Sequence, residues 1–368
     1  MNVAIVHDIL LSYGGAERDL EEILEIFPSS DLFTLYFNKN DERIKSTFGS
    51  KSPKCSFLQF FPHIYRLGQL FSITKIVSWL YFYSLGLSEY DLVISISGSY
   101  NSKFLRKVKP GRHVCYLLTP PKYLYVEKNE LKFLKDFPFN ILTLPFMVLL
   151  RYIDKKSATN PDILLAQSNT VRERIKKYYQ RDAVVVYPPV NVGRRGSRKI
   201  QAKKKYYVFH SRLVTQKGVE LVVKTCARFN LPLVVIGEGY LKNKLKKIAG
   251  NSINFLGEVS DRKLGLVYGK AIALIYSAID EDFGIVPVEA MGFGVPVIAY
   301  RSGGVKETVI EGKTGLFFNK FTIGSLYRAI KRFKKLTIDP KECSKQAEKF
   351  DKGKFKKNII QITREVLE

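Results

Sequence analysis

From residue 205 onward the chain repeats one pattern, and that repeat constrains its fold more than any other feature. Short runs rich in β-branched and aromatic residues, Tyr206–Ser211, Leu233–Gly237, Ile253–Gly257, Ala271–Ser277 and Val295–Tyr300, are separated by amphipathic stretches long enough for a helix. Consecutive strands joined by helical crossovers run parallel, and a sheet built this way takes ligands at the carboxyl ends of its strands. The first half has the same rhythm in Val3–Val6, Leu92–Ile96, Val114–Leu118, Ile163–Gln167 and Val184–Tyr187, with longer insertions. At 368 residues the chain exceeds what one core usually supports. The expectation is therefore an α/β protein of two Rossmann-like domains, residues 1–190 and 205–339, joined by a basic linker at 191–204.

Charge narrows the partners without choosing among them. Sixty Lys and Arg against 34 Asp and Glu leave a net charge of +26, so an anionic partner is expected: nucleic acid, a membrane surface or a phosphorylated substrate. The cations are scattered and no nucleic-acid-recognition motif stands out, which argues against nucleic acid. Cys55, Cys115, Cys226 and Cys343 form no C-x-x-C pair, and His7, His63, His113 and His210 have no metal-ligand spacing. No metal site and no cofactor are expected. The chain opens on the strand Val3–Val6 with no charged-then-apolar leader. Its most apolar stretch, Phe137–Leu150, is too short to span a bilayer. A cytoplasmic protein is the simplest expectation.

The residues that carry chemistry cluster after strands. Glu281-Asp282-Phe283-Gly284-Ile285-Val286-Pro287-Val288-Glu289 follows the apolar run Ala271–Ser277 and opens a helix. Carboxylates are natural acceptors for sugar hydroxyls, which places Glu281 on a hexose and Glu289 on a ribose. The N–H groups of Phe283, Gly284 and Ile285, at an opening helix end, suit a pyrophosphate or sugar oxygen. Arg212 and Lys217 follow Tyr206–Ser211, where a guanidinium fork and a compact ammonium would hold a diphosphate. Asp280-Glu281-Asp282 contains an aspartate-x-aspartate pattern, but with those cations at hand a divalent metal is not expected. Glu258 and Val259 follow Ile253–Gly257 and are candidates for reading a nucleobase through the main chain. In the first half, Gly14 and Gly15 form a two-glycine turn before a helix, either a phosphate nest or an ordinary βα turn.

Together these blocks resemble glycosyltransferase family 4, of GT-B fold. The paired-glutamate block is its signature. His7-Asp8 with Tyr13-Gly14-Gly15-Ala16-Glu17, the run Val185–Val190, and Ile298-Ala299-Tyr300-Arg301-Ser302-Gly303-Gly304 are similar to the branch typified by GDP-mannose-dependent mannosyltransferases. The resemblance implies two facing Rossmann-like domains with a ligand cleft between them, and a C-terminal segment, residues 340–368, returning to the first. It implies a metal-independent retaining hexosyltransferase, with Arg212 and Lys217 on the leaving diphosphate and Glu281 on the sugar. The donor would be a nucleotide diphosphate sugar, GDP-mannose or UDP-glucose. One departure stands out: Leu118 occupies the position where that branch usually has histidine, so Thr119, Lys122 and Tyr123 become candidates for the sugar side.

The expected acceptor is a lipid-linked or polysaccharide glycan at the inner face of the cell membrane. Two aromatic and basic stretches, Phe57–Leu87 and Leu131–Lys156, fit either a membrane interface or buried helices of an insertion. Lys103, Arg106, Lys107 and Lys109 are candidates for an anionic lipid head. The alternatives are a GT-B enzyme of other chemistry, an epimerase or phosphorylase, or a nucleic-acid-binding protein.

Overall fold

The computed structural model describes residues 1–61, 71–125, 139–192 and 204–368. The chain divides into two compact units, Met1–Tyr187 with Phe355–Glu368, and Pro188–Lys354.

The second unit holds a six-stranded sheet of β8 (Tyr206–His210), β9 (Leu233–Ile236), β10 (Ile253–Gly257), β11 (Ala271–Tyr276), β12 (Val297–Tyr300) and β13 (Gly315–Phe318). All its pairings are parallel, in the order β10-β9-β8-β11-β12-β13. β9 and β13 are buried along their length, as expected where helices cover both faces. One core joins Phe209 and Val235 of the sheet with Val219 and Val222 of the helix Val219–Arg228 and Leu326 and Ile330 of the helix Ile323–Phe333. β8 and β11 are neighbours although two strands separate them in sequence, and here the strand order reverses. That topological switch opens a crevice at the strands' carboxyl ends, the expected ligand position.

The first unit repeats the plan with β1 (Val3–His7), β2 (Asp31–Thr34), β3 (Lys54–Cys55), β4 (Leu92–Ser97), β5 (Arg112–Leu117), β6 (Ile163–Ala166) and β7 (Val184–Val185). Its order, β3-β2-β1-β4-β5-β6-β7, is again parallel throughout and switches between β1 and β4.

Asp31–Thr34, Lys54–Cys55 and Gly315–Phe318 were absent from the expected strands. They are four, two and four residues long. They are strands because neighbouring strands supply their hydrogen bonds.

The C-terminal return differs from the expected 340–368. The helix Pro340–Ala347 stays in the second unit. There Gln346 Nε2 donates to Thr308 O at 3.0 Å and Cys343 is fully buried. Only from Phe355 does the helix Lys352–Leu367 join the first unit, where Phe355, Ile359 and Ile362 pack with Ile5, Leu20 and Tyr116. Most of the basic linker, 193–203, lies outside the described residues.

Candidate functional site

In the second unit the switch point is where the charged side chains collect. β8 ends at His210, and the loop Ser211–Val214 leads through a turn at Thr215–Lys217 into the helix Val219–Arg228. β11 ends at Tyr276 and continues through Ser277–Gly284 into the helix Ile285–Gly292. The two loops are tied together: Ile279 N donates to Gln216 O at 3.0 Å, and Ser277 Oγ to Lys217 O at 3.0 Å. Lys217 Nζ then lies 2.5 Å from Glu281 Oε2, with both side chains mostly covered. A cation for phosphate and an acceptor for a hydroxyl thus stand side by side, though 64 residues apart in the chain. Arg212 is exposed in the same loop, with no ion-pair partner among the described residues.

Glu281 also accepts a hydrogen bond from the hydroxyl of the buried Tyr276. Burial, and then the charge of Glu281, push the phenol well above its ordinary range, so it is the donor in that bond. No motif announced Tyr276. Its only sequence signal is a position at the end of an apolar strand.

Tight backbone approaches fix the carboxylate loop. Asp280 has φ +54° and its N–H donates to Ser302 Oγ at 3.0 Å. Gly304 N donates to Glu281 O at 2.8 Å. A Cβ on Gly303, at φ +66°, would fall 2.1 Å from Glu281 O. Gly303→Ala should therefore displace the Glu281 loop and destabilise the second unit by about 1–3 kcal/mol. Thermal unfolding checks this, and a variant that melts at the wild-type temperature would refute it.

Glycine is also required at 284, whose φ of +92° precedes the helix Ile285–Gly292. Pro287 falls in the first turn, where a missing N–H costs nothing. Phe283 is buried and packs edge-on against Phe350 at 5.3 Å, so its ring anchors the loop and only its backbone faces the helix end. Glu289 lies in the same helix and is buried. Glu258 is exposed and Val259 half-buried just after β10, before Ser260, whose Oγ caps the helix Asp261–Gly269. Among the described residues no three His, Cys, Asp or Glu groups are grouped as metal ligands.

In the first unit, Asp8 after β1 accepts three buried N–H bonds: Gly98 at 2.8 Å, Tyr100 at 2.9 Å and Ser102 at 2.9 Å. Burial raises its carboxyl above the ordinary range while those N–H groups pull it back. Asp8 therefore clamps the loop after β4 to the end of β1. The Gly14 N–H is taken by Glu17 Oε2 at 2.9 Å, which leaves the glycine turn one donor fewer than a phosphate nest would offer, and Gly15 is exposed. Leu118 sits just past β5, its N–H on Ser97 O at 2.8 Å and its side chain beside Gly98.

Three expectations change here. Thr119 is buried and its Oγ1 accepts from Arg174 Nη1 at 3.0 Å, so it braces a helix. Tyr123 is buried with Trp79, Leu124, Met147 and Leu150, although the neighbouring Lys122 stays half-buried. Lys103 is wholly buried, 2.6 Å from Asp154 Oδ1, and cannot meet a lipid head. Arg106, Lys107 and Lys109 are exposed.

Comparison with known proteins follows this division. Residues 194–350 match the family model described as "Glycosyl transferases group 1". The chain is 31% identical over 202 residues to the O-antigen chain mannosyltransferase RfbU of Salmonella typhimurium, a match covering 51% of this chain and 56% of that protein. It is 23% identical to the alpha-1,3/1,6-mannosyltransferase ALG2 of Dictyostelium discoideum over 100% of this chain and 98% of that one. The chain spans about half the length of two of the curated relatives it matches, 49% and 56%. Among solved structures, that of Anabaena Alr3699/HepE in complex with UDP superposes with a TM-score of 0.70 at 16% identity, covering 99% of this chain and 100% of that one. At that identity the likeness bears on fold alone.

Proposed function

From a chain of GT-B fold whose residues 194–350 match the model of the group 1 glycosyl transferases, we propose a member of that family acting as a metal-independent retaining hexosyltransferase. It takes its sugar from a nucleotide diphosphate donor and passes it to a lipid-linked or polysaccharide glycan. The observation that carries the reading is the Lys217–Glu281 pair at the β8/β11 switch point, with Arg212 exposed in the same loop. The glycosyl–oxygen bond to the diphosphate breaks, and negative charge grows on the departing phosphate, where a guanidinium and an ammonium stabilise it most. Glu281 accepts from the sugar's hydroxyls and Glu289 from the ribose. The acceptor hydroxyl adds to the anomeric carbon on the face that the phosphate leaves, and its proton passes to the leaving phosphate oxygen. This accounts for retention without an enzyme nucleophile. The two cations do the neutralising that a divalent metal would otherwise supply.

Mannose is the first sugar to test, because RfbU and ALG2 are named as mannosyltransferases. A uridine donor stays in the panel because HepE was solved with UDP. The acceptor is placed at the inner face of the cell membrane, where a chain of +26 meets anionic lipid. No described helix is long and apolar enough to cross a membrane.

The experiment is thermal unfolding with GDP, UDP, dTDP and ADP sugars, followed by product analysis with the stabilising donor and a lipid-linked acceptor. A donor at about 100 times its Kd stabilises the fold by about 2.7 kcal/mol. One base should stand out, with the anomeric configuration retained in the product. No stabilisation by any nucleotide sugar, or an inverted product, sinks the reading.

A further inference from the structure

Three neighbouring elements of the first unit turn large apolar side chains outward. The helix Phe139–Ser157 is apolar on two opposite sides. Met147 and Leu150 pack inward with Trp79, and Asp154 is buried on the same side. At about 100° per residue, Val148, Leu149 and Tyr152 emerge on the far side, and all three are exposed, Tyr152 at 63%. The helix Phe71–Ser84 joins it through Trp79 and leaves Leu80 exposed at 71%. Next to that helix, Leu58 packs with Phe82 in one core, and Tyr81 Oη donates to Lys54 O at 3.1 Å. The turn that carries Leu58 projects Phe57, Phe60 and Phe61, with Phe60 at 82% exposure.

Single exposed apolar residues are ordinary, but side chains of this size on three packed elements are not. The exposed charges described on these elements and beside the Tyr83 ring are cations. Arg151, Lys155 and Lys156 are exposed on the helix Phe139–Ser157. Arg106 lies over the Tyr83 ring at 5.1 Å, with Lys107 exposed next to it. The only acidic residue in the three elements is Asp154, which is buried against Lys103. A protein partner of mixed charge would find no exposed carboxylate on these three elements for its own cations. A bilayer with anionic headgroups meets both properties, since aromatic and aliphatic groups settle at the acyl boundary while Lys and Arg reach the phosphates.

We infer that this face docks on an anionic lipid bilayer as a monotopic surface. The inference rests on the proposed lipid-linked acceptor and says which residues would bring the enzyme to it. Parts of the stretches that suggested such an interface, 62–70 and 126–138, lie outside the described residues and are not used.

The test is co-sedimentation of the full chain with vesicles of phosphatidylcholine and phosphatidylglycerol, and with vesicles of phosphatidylcholine alone. The wild type should partition onto the anionic vesicles far more strongly than onto the neutral ones. Phe60→Ser, Leu80→Ser and Tyr152→Ser combined should weaken that partition by at least about a hundredfold. Lys155→Gln and Lys156→Gln should weaken it about fivefold each. All these side chains are exposed, so folding is checked by an unchanged Tm. Donor-induced stabilisation and transfer to a soluble acceptor glycan should stay at wild-type level in the serine variant, which separates failure of this inference from failure of the proposed function. Wild-type protein that ignores anionic vesicles, a serine variant that binds them equally, or a dimer in sedimentation velocity that only the serine variant loses would overturn it.

Discussion

Lys217→Ala should lower kcat/KM for sugar transfer by about 10²–10³-fold, the range seen when one preorganised group facing developing negative charge is removed. The expectation comes from position: the ammonium lies beside Glu281 at 2.5 Å, in a crevice where both side chains are mostly covered. Charge interactions there are stronger than in bulk water. Stability should fall much less than activity, because Glu281 keeps its bond from Tyr276. Glu281→Gln should also cut activity, and the double variant should lose less than the product of the two single losses, as expected for groups acting as a unit. Arg212→Lys would keep a charge but lose the two-pronged grip, and should fall between wild type and Arg212→Ala. Steady-state kinetics with the donor identified by thermal unfolding decides the matter. Transfer by Lys217→Ala within threefold of wild type would remove the central element of the proposed mechanism.

The second large effect is on stability. Lys103→Ala should destabilise the first unit by about 3–5 kcal/mol, because it leaves the Asp154 carboxylate buried without its counter-charge. Both side chains are fully buried, with nitrogen and oxygen 2.6 Å apart. Tyr125 Oη, which donates to Asp154 Oδ2 at 2.9 Å, and Asn101, which accepts from Lys103, complete the cluster but cannot replace the cation. A loss of that size is a large share of the 5–15 kcal/mol typical of a domain. Trp79 is the single tryptophan and is buried in the first unit, so its fluorescence in a denaturant titration follows this unit specifically. Replacing both charges, Lys103→Met with Asp154→Leu, should recover most of the lost stability. A midpoint for Lys103→Ala equal to wild type would show that the pair contributes nothing.

The contrast between Lys217 and Lys103 shows how far composition and spacing reach. Both are lysines in loops that follow a strand, and both were candidates for phosphate. One lies in the crevice at the switch point, whereas the other is sealed inside a core. Nothing within several residues of Lys103 distinguishes it from the exposed Arg106, Lys107 and Lys109. The difference is set by Asp154, 51 residues away. Thr119 and Tyr123 were misplaced for the same reason: their partners, Arg174 and the cluster around Trp79, come from distant helices.

What the chain's linear order determined was whatever depends on near neighbours. The rhythm of apolar runs marked ten of the strands. The order of crossovers made both sheets parallel, because a strand followed by a helix has few other ways to return. Only the folded molecule decided which side chains meet. Lys217 and Glu281 are neighbours because β8 pairs with β11 across two intervening strands, and Tyr276 holds Glu281 because the end of that strand is buried. Proximity between distant residues is a property of sheet order and burial, which local composition does not encode.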